Sequence, residues 1–334
     1  MNIGVFGATG QVGGLMRRLL IDRSFPVTSI RFFASERSKG KQLDFGDKKV
    51  VVEDIAEANF GGLDLALFSA GAGVSKIYCP QVAQGGAMVV DNSSAWRMDE
   101  TVPLVVAGVN NHDLDSIPAN IVANPNCTTM VAMMVVKPLA DYAGLRSIVA
   151  STYQAVSGAG TAGVSELASQ VHELAGSLDS LTYEGTALGR VTPSKFVEPV
   201  AFNVVPVAGS LVDDETDEEK KFRNETRKIL GLPDLTVSCT CVRVGVFSGH
   251  SLSLNLAFER PVEVDVAREI LSLAPGVELC DVPTPLKAVG GDLSLVGRVR
   301  RDETVENGLA LFVSGDNLRK GAALNAVQIA ELLI

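Results

Sequence analysis

The chain has 334 residues, of which 46% are apolar and 20% are charged, and its formal net charge is −10. This length and apolar content predict about two folded domains and exclude disorder as the main state, while the acidic charge argues against nucleic acid as a partner. No signal peptide or apolar run long enough to span a membrane is visible, and the five cysteines have no regular spacing, so we expect a cytoplasmic protein.

The first part of the chain, to roughly residue 125, alternates short β-branched runs with helical stretches. This alternation is typical of a parallel sheet with crossover helices. Several runs are apolar throughout, as in strands covered on both faces, and the leucines of the helical stretch 11–20 lie on one side. The predicted strands are residues 2–6, 28–33, 49–52, 64–68, 87–90, 103–107 and 120–123.

Beyond Cys127 the pattern changes to longer strands with fewer helices between them, which indicates a mixed or antiparallel sheet. The fold class is therefore α/β, with a Rossmann-type, doubly wound nucleotide-binding domain and a second, α+β domain. The predicted domains are residues 1–127, completed by the C-terminal helix 315–334, and residues 128–314. In the second part we predict strands at 145–154, 200–207, 236–247, 252–258 and 309–314, and helices at 128–139, 160–178, 213–230 and 317–334.

Three glycines, Gly7, Gly10 and Gly13, follow the first strand and open the first helix. In a dinucleotide-binding loop such glycines allow a tight turn, a close approach to the pyrophosphate and close helix–strand packing. The spacing here is G-x-x-G-x-x-G, so a plain strand–helix turn is the alternative. The candidate phosphate-binding residues are Gly7, Thr9, Gly10, Gln11, Val12 and Gly13.

The second strand ends at a polar turn that contains Ser35, Glu36, Arg37 and Ser38. An acid at this place binds the ribose 2′-hydroxyl of NAD, whereas an arginine binds the 2′-phosphate of NADP. Arg37 between two serines favours NADP, with Ser35 and Ser38 as further contacts. Glu36 would favour NAD if it points inward, and a solvated charged turn is the plainer alternative.

Cys127 lies in a turn between a strand and a helix, at the junction of the two predicted domains. A helix N-terminus lowers the pKa of a thiol and favours the nucleophilic thiolate. The other four cysteines stand where small apolar residues belong, so we expect them to be buried and inert. A structural role for Cys127 is the alternative on position alone.

A nucleophilic thiolate needs a base or a cationic partner, and the chain offers three histidines, His112, His172 and His250. His250 is placed in a glycine-flanked turn just past a strand. No histidine–cysteine spacing fits a metal site, so we expect no metal. Neither a Tyr-x-x-x-Lys pair nor a G-x-x-x-x-G-K-[ST] loop is present, which argues against short-chain reductases and nucleotide hydrolases.

Taken together, these residues resemble the aspartate-semialdehyde dehydrogenase family, nearly from end to end. The specific parts are the Asn124-Pro125-Asn126-Cys127-Thr128-Thr129 turn and the stretch 152–160, which reads TYQAVSGAG. The further matching stretches are 7–13, 34–38, 91–99, 201–204, 243–251, 283–285 and 316–321.

The resemblance implies that the chain converts L-aspartate 4-semialdehyde, phosphate and NADP⁺ to 4-phospho-L-aspartate and NADPH, in the opposite direction during biosynthesis. The pathway would lead to lysine or diaminopimelate, threonine, methionine and isoleucine. By resemblance, Cys127 is the nucleophile that forms a thiohemiacetal and then a thioester, and His250 is the acid/base. Asn126 is a candidate to stabilise the oxyanion.

The resemblance also assigns the ligand-binding residues. Arg243 would hold the substrate carboxylate, and Arg97 and Lys221 the phosphate, since both are oxyanions that cations bind well. Glu218 would meet the substrate ammonium, although Glu219 is equally plausible by type. On bare chemistry Glu218 and Lys221 read as a solvated helical pair. Gln154 would orient the substrate, and Ser157, Gly158 and Asn317 would contact the cofactor.

Two rival functions remain open. One is a related acyl-phosphate reductase, such as N-acetyl-glutamyl-phosphate reductase or a glyceraldehyde-phosphate dehydrogenase, which shares the nucleotide domain and the cysteine. The other is a non-catalytic NADP-binding sensor. The resemblance further implies a homodimer with the second, catalytic and dimerisation domain at its interface.

Overall fold

The computed structural model describes residues 1–185, 189 and 191–334. They form two compact units. Unit 1 consists of Met1–Lys137, Asn224–Asp234 and Leu318–Ile334, and unit 2 of Pro138–Arg223 and Leu235–Asn317. The domain division predicted at Cys127 stays a prediction; the compact unit that contains the N-terminus also takes in a short central segment.

Unit 1 contains a seven-stranded sheet in the order β3-β4-β2-β1-β5-β6-β7. Apart from the antiparallel β3–β4 pair, neighbouring strands are parallel. The six parallel strands follow the doubly wound order 3-2-1-4-5-6, whose ligand crevice lies where the order reverses, beside the first strand. The strands are β1 (Asn2–Phe6), β2 (Ser29–Ala34), β3 (Gln42–Phe45), β4 (Lys48–Asp54), β5 (Leu65–Phe68), β6 (Met88–Asp91) and β7 (Ile121–Ala123).

Unit 2 contains a second seven-stranded sheet, in the order β14-β15-β16-β13-β8-β12-β9. It is mixed, because β8 pairs parallel with β12 and antiparallel with β13. The predicted fold class, a Rossmann-type domain followed by a domain with a mixed sheet, is confirmed. The strands are β8 (Leu145–Gln154), β9 (Val204–Val205), β12 (Thr236–Val244), β13 (His250–Phe258), β14 (Val277–Leu279), β15 (Ser294–Asp302) and β16 (Gly308–Gly315), with a separate hairpin of β10 (Leu211–Val212) and β11 (Glu215–Thr216).

The helices connect these strands, and the last one completes the core of unit 1. Ala326, Ile329 and Ala330 are buried together with Ile3 and Leu19. None of the helices in the described ranges is long and apolar enough to cross a membrane. The helices are α1 (Gln11–Asp22), α2 (Ala72–Gln84), α3 (Cys127–Ala143), α4 (Gly160–Leu174), α5 (Asp217–Leu230), α6 (Val264–Leu273), α7 (Pro285–Ala288) and α8 (Leu324–Leu332); a 3₁₀ stretch, Ala175–Thr182, follows α4, and a π-helical turn, Arg319–Ala323, precedes α8.

Side chains replace strand neighbours at two places where strands were predicted. In 103–107, Leu104 forms only an isolated bridge, and Asn110 and Asn325 accept the N–H groups of residues 106 and 107. In 200–207 the strand is confined to Val204–Val205, because Gln170 accepts the N–H groups of residues 200 and 201. The predictions that 103–107 and 200–207 are strands over their whole length were therefore wrong.

Several predicted bounds also shift. Strand β13 begins at His250 itself, so this residue opens a strand rather than lying in a turn past one. Helix α3 continues through Pro138 to Ala143 instead of ending near the proline. Helix α5 begins at Asp217, since the residues before it form the hairpin. Strands β3, β14 and β15 were not predicted.

The turn between β1 and α1 leaves no room for side chains at two of its glycines. A Cβ on Gly7, whose φ is +79°, would lie 2.2 Å from the carbonyl oxygen of Ser69. A Cβ on Gly13 would lie 2.3 Å from the carbonyl oxygen of Gly7. Real side chains do not tolerate such distances to backbone, so the glycines are required for the turn itself.

We therefore expect Gly13→Ala to lower the free energy of unfolding by about 1–3 kcal/mol, since the strand and helix must separate. Gly14→Ala is the matched control on the same helix, because its Cβ would lie 3.6 Å from the flexible tip of Arg17. That change should be neutral or stabilise by up to about 1 kcal/mol. Urea unfolding of both variants checks this, and equal effects at the two positions would contradict the packing argument.

Candidate active site

The N-terminus of α1 faces outward from the glycine turn. Gly10 is the N-cap, no side chain caps the helix, and Thr9 and Gly10 are exposed. Backbone N–H groups and the positive end of the helix dipole at such an end favour an anion. Such an end suits the pyrophosphate of a dinucleotide, and a contact of the cofactor with Gly7, Thr9, Gly10, Gln11, Val12 and Gly13 stays a prediction.

The turn after β2 presents a cation at the neighbouring strand end. Ser35, Glu36 and Arg37 are exposed, whereas Ser38 is buried. Arg37 makes no ion pair with another residue in the described ranges. Its guanidinium is thus available for a phosphate, while the exposure of Glu36 leaves the acid available as well.

Cys127 is the first residue of α3, and Asn126 caps this helix. The side-chain Oδ1 of Asn126 accepts a hydrogen bond from the N–H of Thr128 at 3.0 Å. Capping places the Cys127 side chain at the positive end of the helix, where a thiolate is stabilised. An amide oxygen only accepts, so any donation from the Asn126 side chain to an oxyanion would come from Nδ2.

A buried carboxylate lies directly behind this turn. The side chain of Glu225 is 1% exposed, and its Oε2 accepts the backbone N–H of Asn126 at 2.6 Å. Its Oε1 accepts a hydrogen bond from Nη1 of Arg97 at 3.0 Å. One carboxylate therefore holds both the residue before the nucleophile candidate and the predicted phosphate-binding arginine.

Arg97 is fixed by two further bonds, from Nε to the carbonyl of Asn124 and from Nη2 to the carbonyl of Asn92. The side chain of Asn124 bonds in turn to Asn92 and to Asn325 of α8. Lys228 supports the same loop by donating to the carbonyl oxygens of residues 97, 99 and 102. The Cys127 turn thus rests on a connected polar network.

In unit 2, one residue's backbone bonds to two of the predicted site residues. The N–H of Ala155 donates to Nδ1 of His250 at 3.0 Å, and its carbonyl accepts from Nη1 of Arg243 at 2.8 Å. His250 is fully buried. Burial, and then the positive charge of Arg243, lower the pKa of His250 to about 3, so the imidazole is neutral at physiological pH.

Gly158 lies against the functional ends of both side chains. A Cβ at this position would be 3.2 Å from Nε2 of His250 and 3.2 Å from Nη1 of Arg243. Gln154 pairs in register with Arg243, and its side chain is buried. The structure therefore brings together Gln154, Gly158, Arg243 and His250 at the ends of β8 and β12 and the start of β13.

Asn317 is used within unit 2 to hold this region. It exchanges hydrogen bonds with the hydroxyl of Ser157, and its Oδ1 accepts the N–H of Gly249 at 2.8 Å. The predicted cofactor contacts Ser157 and Asn317 are thus bonded to each other, beside the residue that precedes His250. Their contact with a cofactor stays a prediction.

The predicted helical pair of Glu218 and Lys221 is formed. Nζ of Lys221 donates to Glu218 at 2.8 Å and to Asp217 at 2.6 Å, with all three side chains at most 35% exposed. Glu219 is engaged differently, since its two oxygens accept the N–H groups of Thr216 and Cys241. Glu219 caps α5, so Glu218 is the better candidate for a substrate ammonium.

The sequence analysis missed Glu225, Lys228 and Asn325. Glu225 carries a readable signal, because it shares the buried stripe of α5 with Phe222 and Ile229. An acid in an apolar stripe needs a buried partner. Among the described residues no group of three or more histidines, cysteines and acids is placed to hold a metal.

Known proteins of one kind match this chain over its whole length. Residues 2–117 match the family "Semialdehyde dehydrogenase, NAD binding domain", and residues 136–320 match "Semialdehyde dehydrogenase, dimerisation domain". An aspartate-semialdehyde dehydrogenase of Streptomyces akiyoshiensis is 59% identical over 336 residues, which cover 100% of this chain and 98% of that protein.

Solved structures with bound ligands are similar as well. The Vibrio cholerae aspartate semialdehyde dehydrogenase II complexed with ASA superimposes with a TM-score of 0.93 at 41% identity, over 99% of this chain and 97% of that one. The Candida albicans aspartate semialdehyde dehydrogenase with NADP gives a TM-score of 0.75 at 25% identity, over 99% and 98%.

Removal of the Glu225 carboxylate would leave the Arg97 guanidinium and the Asn126 N–H buried without their acceptor. We expect Glu225→Ala to lower the free energy of unfolding by about 3–5 kcal/mol. Glu331→Ala is the matched control in the same unit, since Glu331 pairs with Arg23 where both side chains are 30% exposed. It should cost about 0–1 kcal/mol. Similar losses in urea unfolding would show that the buried bonds add nothing.

Proposed function

The chain belongs to the aspartate-semialdehyde dehydrogenase family, and we propose that it interconverts L-aspartate 4-semialdehyde and 4-phospho-L-aspartate on the way to lysine or diaminopimelate, threonine, methionine and isoleucine. Family membership makes it an oxidoreductase of amino-acid biosynthesis that uses an NAD(P) cofactor. NADP as the preferred dinucleotide and inorganic phosphate as the co-substrate are part of the proposal.

The observation that carries the proposal is the position of Cys127 as the first residue of a capped helix. We assign this thiolate as the nucleophile that attacks the aldehyde carbon. The thiohemiacetal formed would be oxidised to a thioester, which phosphate then cleaves to release the thiolate. His250 would be the acid/base of this reaction, and Asn126 is a candidate to stabilise the oxyanion.

The cofactor is assigned to the glycine turn and to the polar turn after β2. When bound, NADP⁺ accepts the hydride released by the substrate carbon. The outward-facing N-terminus of α1 suits its pyrophosphate, and Arg37, exposed and without an ion pair among the described residues, suits a 2′-phosphate. Ser35 and Ser38 flank this cation, and the similar Candida albicans structure contains NADP. Ser157, Gly158 and Asn317 would lie toward the nicotinamide side.

The substrate's own charges are assigned to unit 2. Arg243 suits the α-carboxylate, because its fork binds oxyanions in two places. Glu218 suits the ammonium, since both oxygens of Glu219 are already bonded to backbone. Gln154, buried beside Arg243, would orient the chain of the substrate. The similar Vibrio cholerae protein, which binds ASA, supports this substrate class.

Phosphate is assigned to Arg97 and Lys221. The guanidinium of Arg97 has five N–H donors, and its three bonds leave two for an anion. Lys221 is held by two carboxylates, and their charges raise its pKa against the effect of its own burial, so it is a cation at neutral pH. Both groups therefore offer fixed positive charge.

We propose a homodimer formed through the open face of the unit 2 sheet. Residues along β8 alternate between buried and exposed, and the exposed side includes Val149 and Tyr153. Tyr153 packs against Phe312 of β16 at a ring distance of 5.8 Å. These large side chains lie on an otherwise polar face, and residues 136–320 match a family named for dimerisation, which supports a subunit interface here. The five cysteines form no disulfide, which supports a reducing cytoplasm.

The reaction is tested by following NADPH absorbance with L-aspartate 4-semialdehyde, with and without phosphate. We expect reduction of NADP⁺ that depends on phosphate and falls by more than about 10⁴-fold in Cys127→Ser. Cys280→Ser is the control, since this thiol lies outside the proposed site. Turnover that ignores phosphate would overturn the Arg97 and Lys221 assignment. Turnover of N-acetyl-glutamate semialdehyde instead would favour the rival reductase, and no turnover the sensor.

The cofactor assignment is tested with Arg37→Ala. Loss of a charged hydrogen bond should raise KM for NADP⁺ about ten- to a hundredfold and leave KM for NAD⁺ nearly unchanged. Arg18→Ala, an exposed cation on α1, removes the same charge and is the matched control. Equal losses with both dinucleotides, or an equal effect of Arg18→Ala, would reject the 2′-phosphate site.

A further inference from the structure

A buried carboxylate on α4 holds a segment of unit 2 that has no regular structure of its own. Residues 191–200 form neither helix nor strand. The carboxylate of Glu166 accepts hydrogen bonds from the N–H of Ser194 at 3.1 Å, from its hydroxyl at 2.7 Å and from the N–H of Lys195 at 2.5 Å. The course of this segment is therefore set by a side chain and not by strand pairing.

A second side chain of α4 continues this support one helical turn further on. Oε1 of Gln170 accepts the N–H groups of residues 200 and 201. Nε2 of Gln170 donates to Oε1 of Glu166 at 3.0 Å, and both residues are buried. The two side chains thus act as one support, which holds the segment near both of its ends.

Glu166 is charged in this environment. Burial alone would raise the pKa of Glu166, but hydrogen bonds from the hydroxyl of Ser194 and from the N–H groups of residues 194–196 outweigh it and lower the pKa. The side chain is therefore a carboxylate at neutral pH. A charged acceptor forms stronger hydrogen bonds than a neutral one, so the segment is held firmly.

The segment carries the ring of Phe196, which meets a predicted site residue. The guanidinium carbon of Arg243 lies over this ring at 5.7 Å from its centroid, within the range of a cation–π contact. The ring packs against the buried cluster that includes Val156 and Leu167. Its Cζ lies so close to Gly163 of α4 that a Cβ there would be 3.0 Å away. The ring is therefore confined by α4 while it contacts the guanidinium.

An aromatic ring suits the partner of an arginine that must bind a carboxylate. The ring attracts the cation through its π face but carries no charge, so it restrains Arg243 without neutralising it as an acid would. Nη1 of Arg243 also donates to the carbonyl of Ala155 at 2.8 Å, which again adds no charge. A cation fixed in this way before the substrate arrives loses less entropy on binding.

We propose that Glu166 is a positioning residue for substrate binding, which holds residues 194–196 so that Phe196 keeps the guanidinium of Arg243 directed at the α-carboxylate. This inference rests on the proposed function, in which Arg243 binds that carboxylate. Glu166 acts through Phe196, and Phe196 acts through Arg243. Neither residue is assigned a part in the chemical step.

Removal of the carboxylate should loosen the segment rather than unfold unit 2. Ser194 and Lys195 are exposed, so their freed N–H groups can bond to water. Gln170 would still accept the N–H groups of residues 200 and 201. The part of the segment that carries Phe196 would therefore gain freedom, and the contact with Arg243 would weaken.

Steady-state kinetics with L-aspartate 4-semialdehyde test this role. We expect Glu166→Ala and Phe196→Leu each to raise KM for the semialdehyde about three- to thirtyfold, the range that corresponds to loss of a cation–π contact, and to leave kcat within about twofold. Glu173→Ala removes an exposed acid from the same helix and is the matched control, which should change neither constant. An unchanged KM in both test variants, or losses confined to kcat, would overturn the proposal.

A double variant tests whether Glu166 acts through the ring. Once Phe196→Leu has removed the ring, Glu166→Ala should add little, and KM of the double variant should match the higher single-variant value within about twofold. Effects on KM that multiply would show two independent roles and would reject the proposed order of action. The free energy of unfolding is measured on the same variants, and a loss of stability without coupling in KM would reduce Glu166 to a structural residue.

The contact itself is observed without turnover, by NMR of protein labelled with ¹⁵N-arginine. An aromatic ring shifts the signals of nuclei above its face, so Phe196→Leu should move the side-chain N–H signals of Arg243, which Arg243→Lys assigns by their disappearance. We expect Glu166→Ala to move these signals in the same direction and Glu173→Ala to leave them in place. Unmoved signals in Glu166→Ala would show that the carboxylate does not hold the ring.

The two measurements separate this inference from the proposed function. If the protein does not turn over L-aspartate 4-semialdehyde, the proposed reaction fails, while NMR still decides whether Glu166 places Phe196 over Arg243. Turnover with a normal KM in Glu166→Ala and Phe196→Leu would keep the reaction and reject the positioning role alone.

Discussion

The Arg97 guanidinium and the N–H that precedes the nucleophile candidate share one buried carboxylate, that of Glu225. A carboxylate accepts on both oxygens, and no neutral side chain of that size can do so at both ends. Its charge also offsets that of Arg97 where water is excluded. The direction of the Cys127 turn and the placement of a fixed cation thus depend on one residue. The asparagines around residue 124 and Lys228 tie the same loop to the rest of unit 1.

In unit 2, backbone groups rather than a buried charge hold the predicted site residues in position. The N–H and the carbonyl of Ala155 bond to His250 and Arg243, so the distance between these two groups is set by a segment that cannot rotate. Side-chain entropy is lost on folding rather than on substrate binding, which is what preorganisation requires. The absence of a side chain at Gly158 leaves the functional ends of both groups free of a contact that a Cβ there would make at 3.2 Å.

The sequence alone predicted the strand, glycine turn and helix at the start of the chain, and it predicted both ends of β1 and of β8 correctly. It also predicted that Cys127 lies at a helix N-terminus. These predictions succeeded because each feature depends on a local pattern of residues. It failed at 103–107 and 200–207, where distant amides such as Asn325 and Gln170 satisfy the backbone in place of strands. The supporting residues were missed for the same reason. Glu225 is separated from its partner Asn126 by 99 positions, and no spacing rule reaches that far.

Unit 1 is formed by segments that lie far apart in the chain, and this affects how it can fold during synthesis. Residues 318–334 supply part of its core, and Asn325 bonds to Asn124 in the loop before Cys127. On the ribosome, the first 137 residues emerge long before this segment does. Unit 1 therefore cannot complete its core before residues 318–334 have left the ribosome. The loop before Cys127 accordingly gains its bond to Asn325 only when this late segment folds.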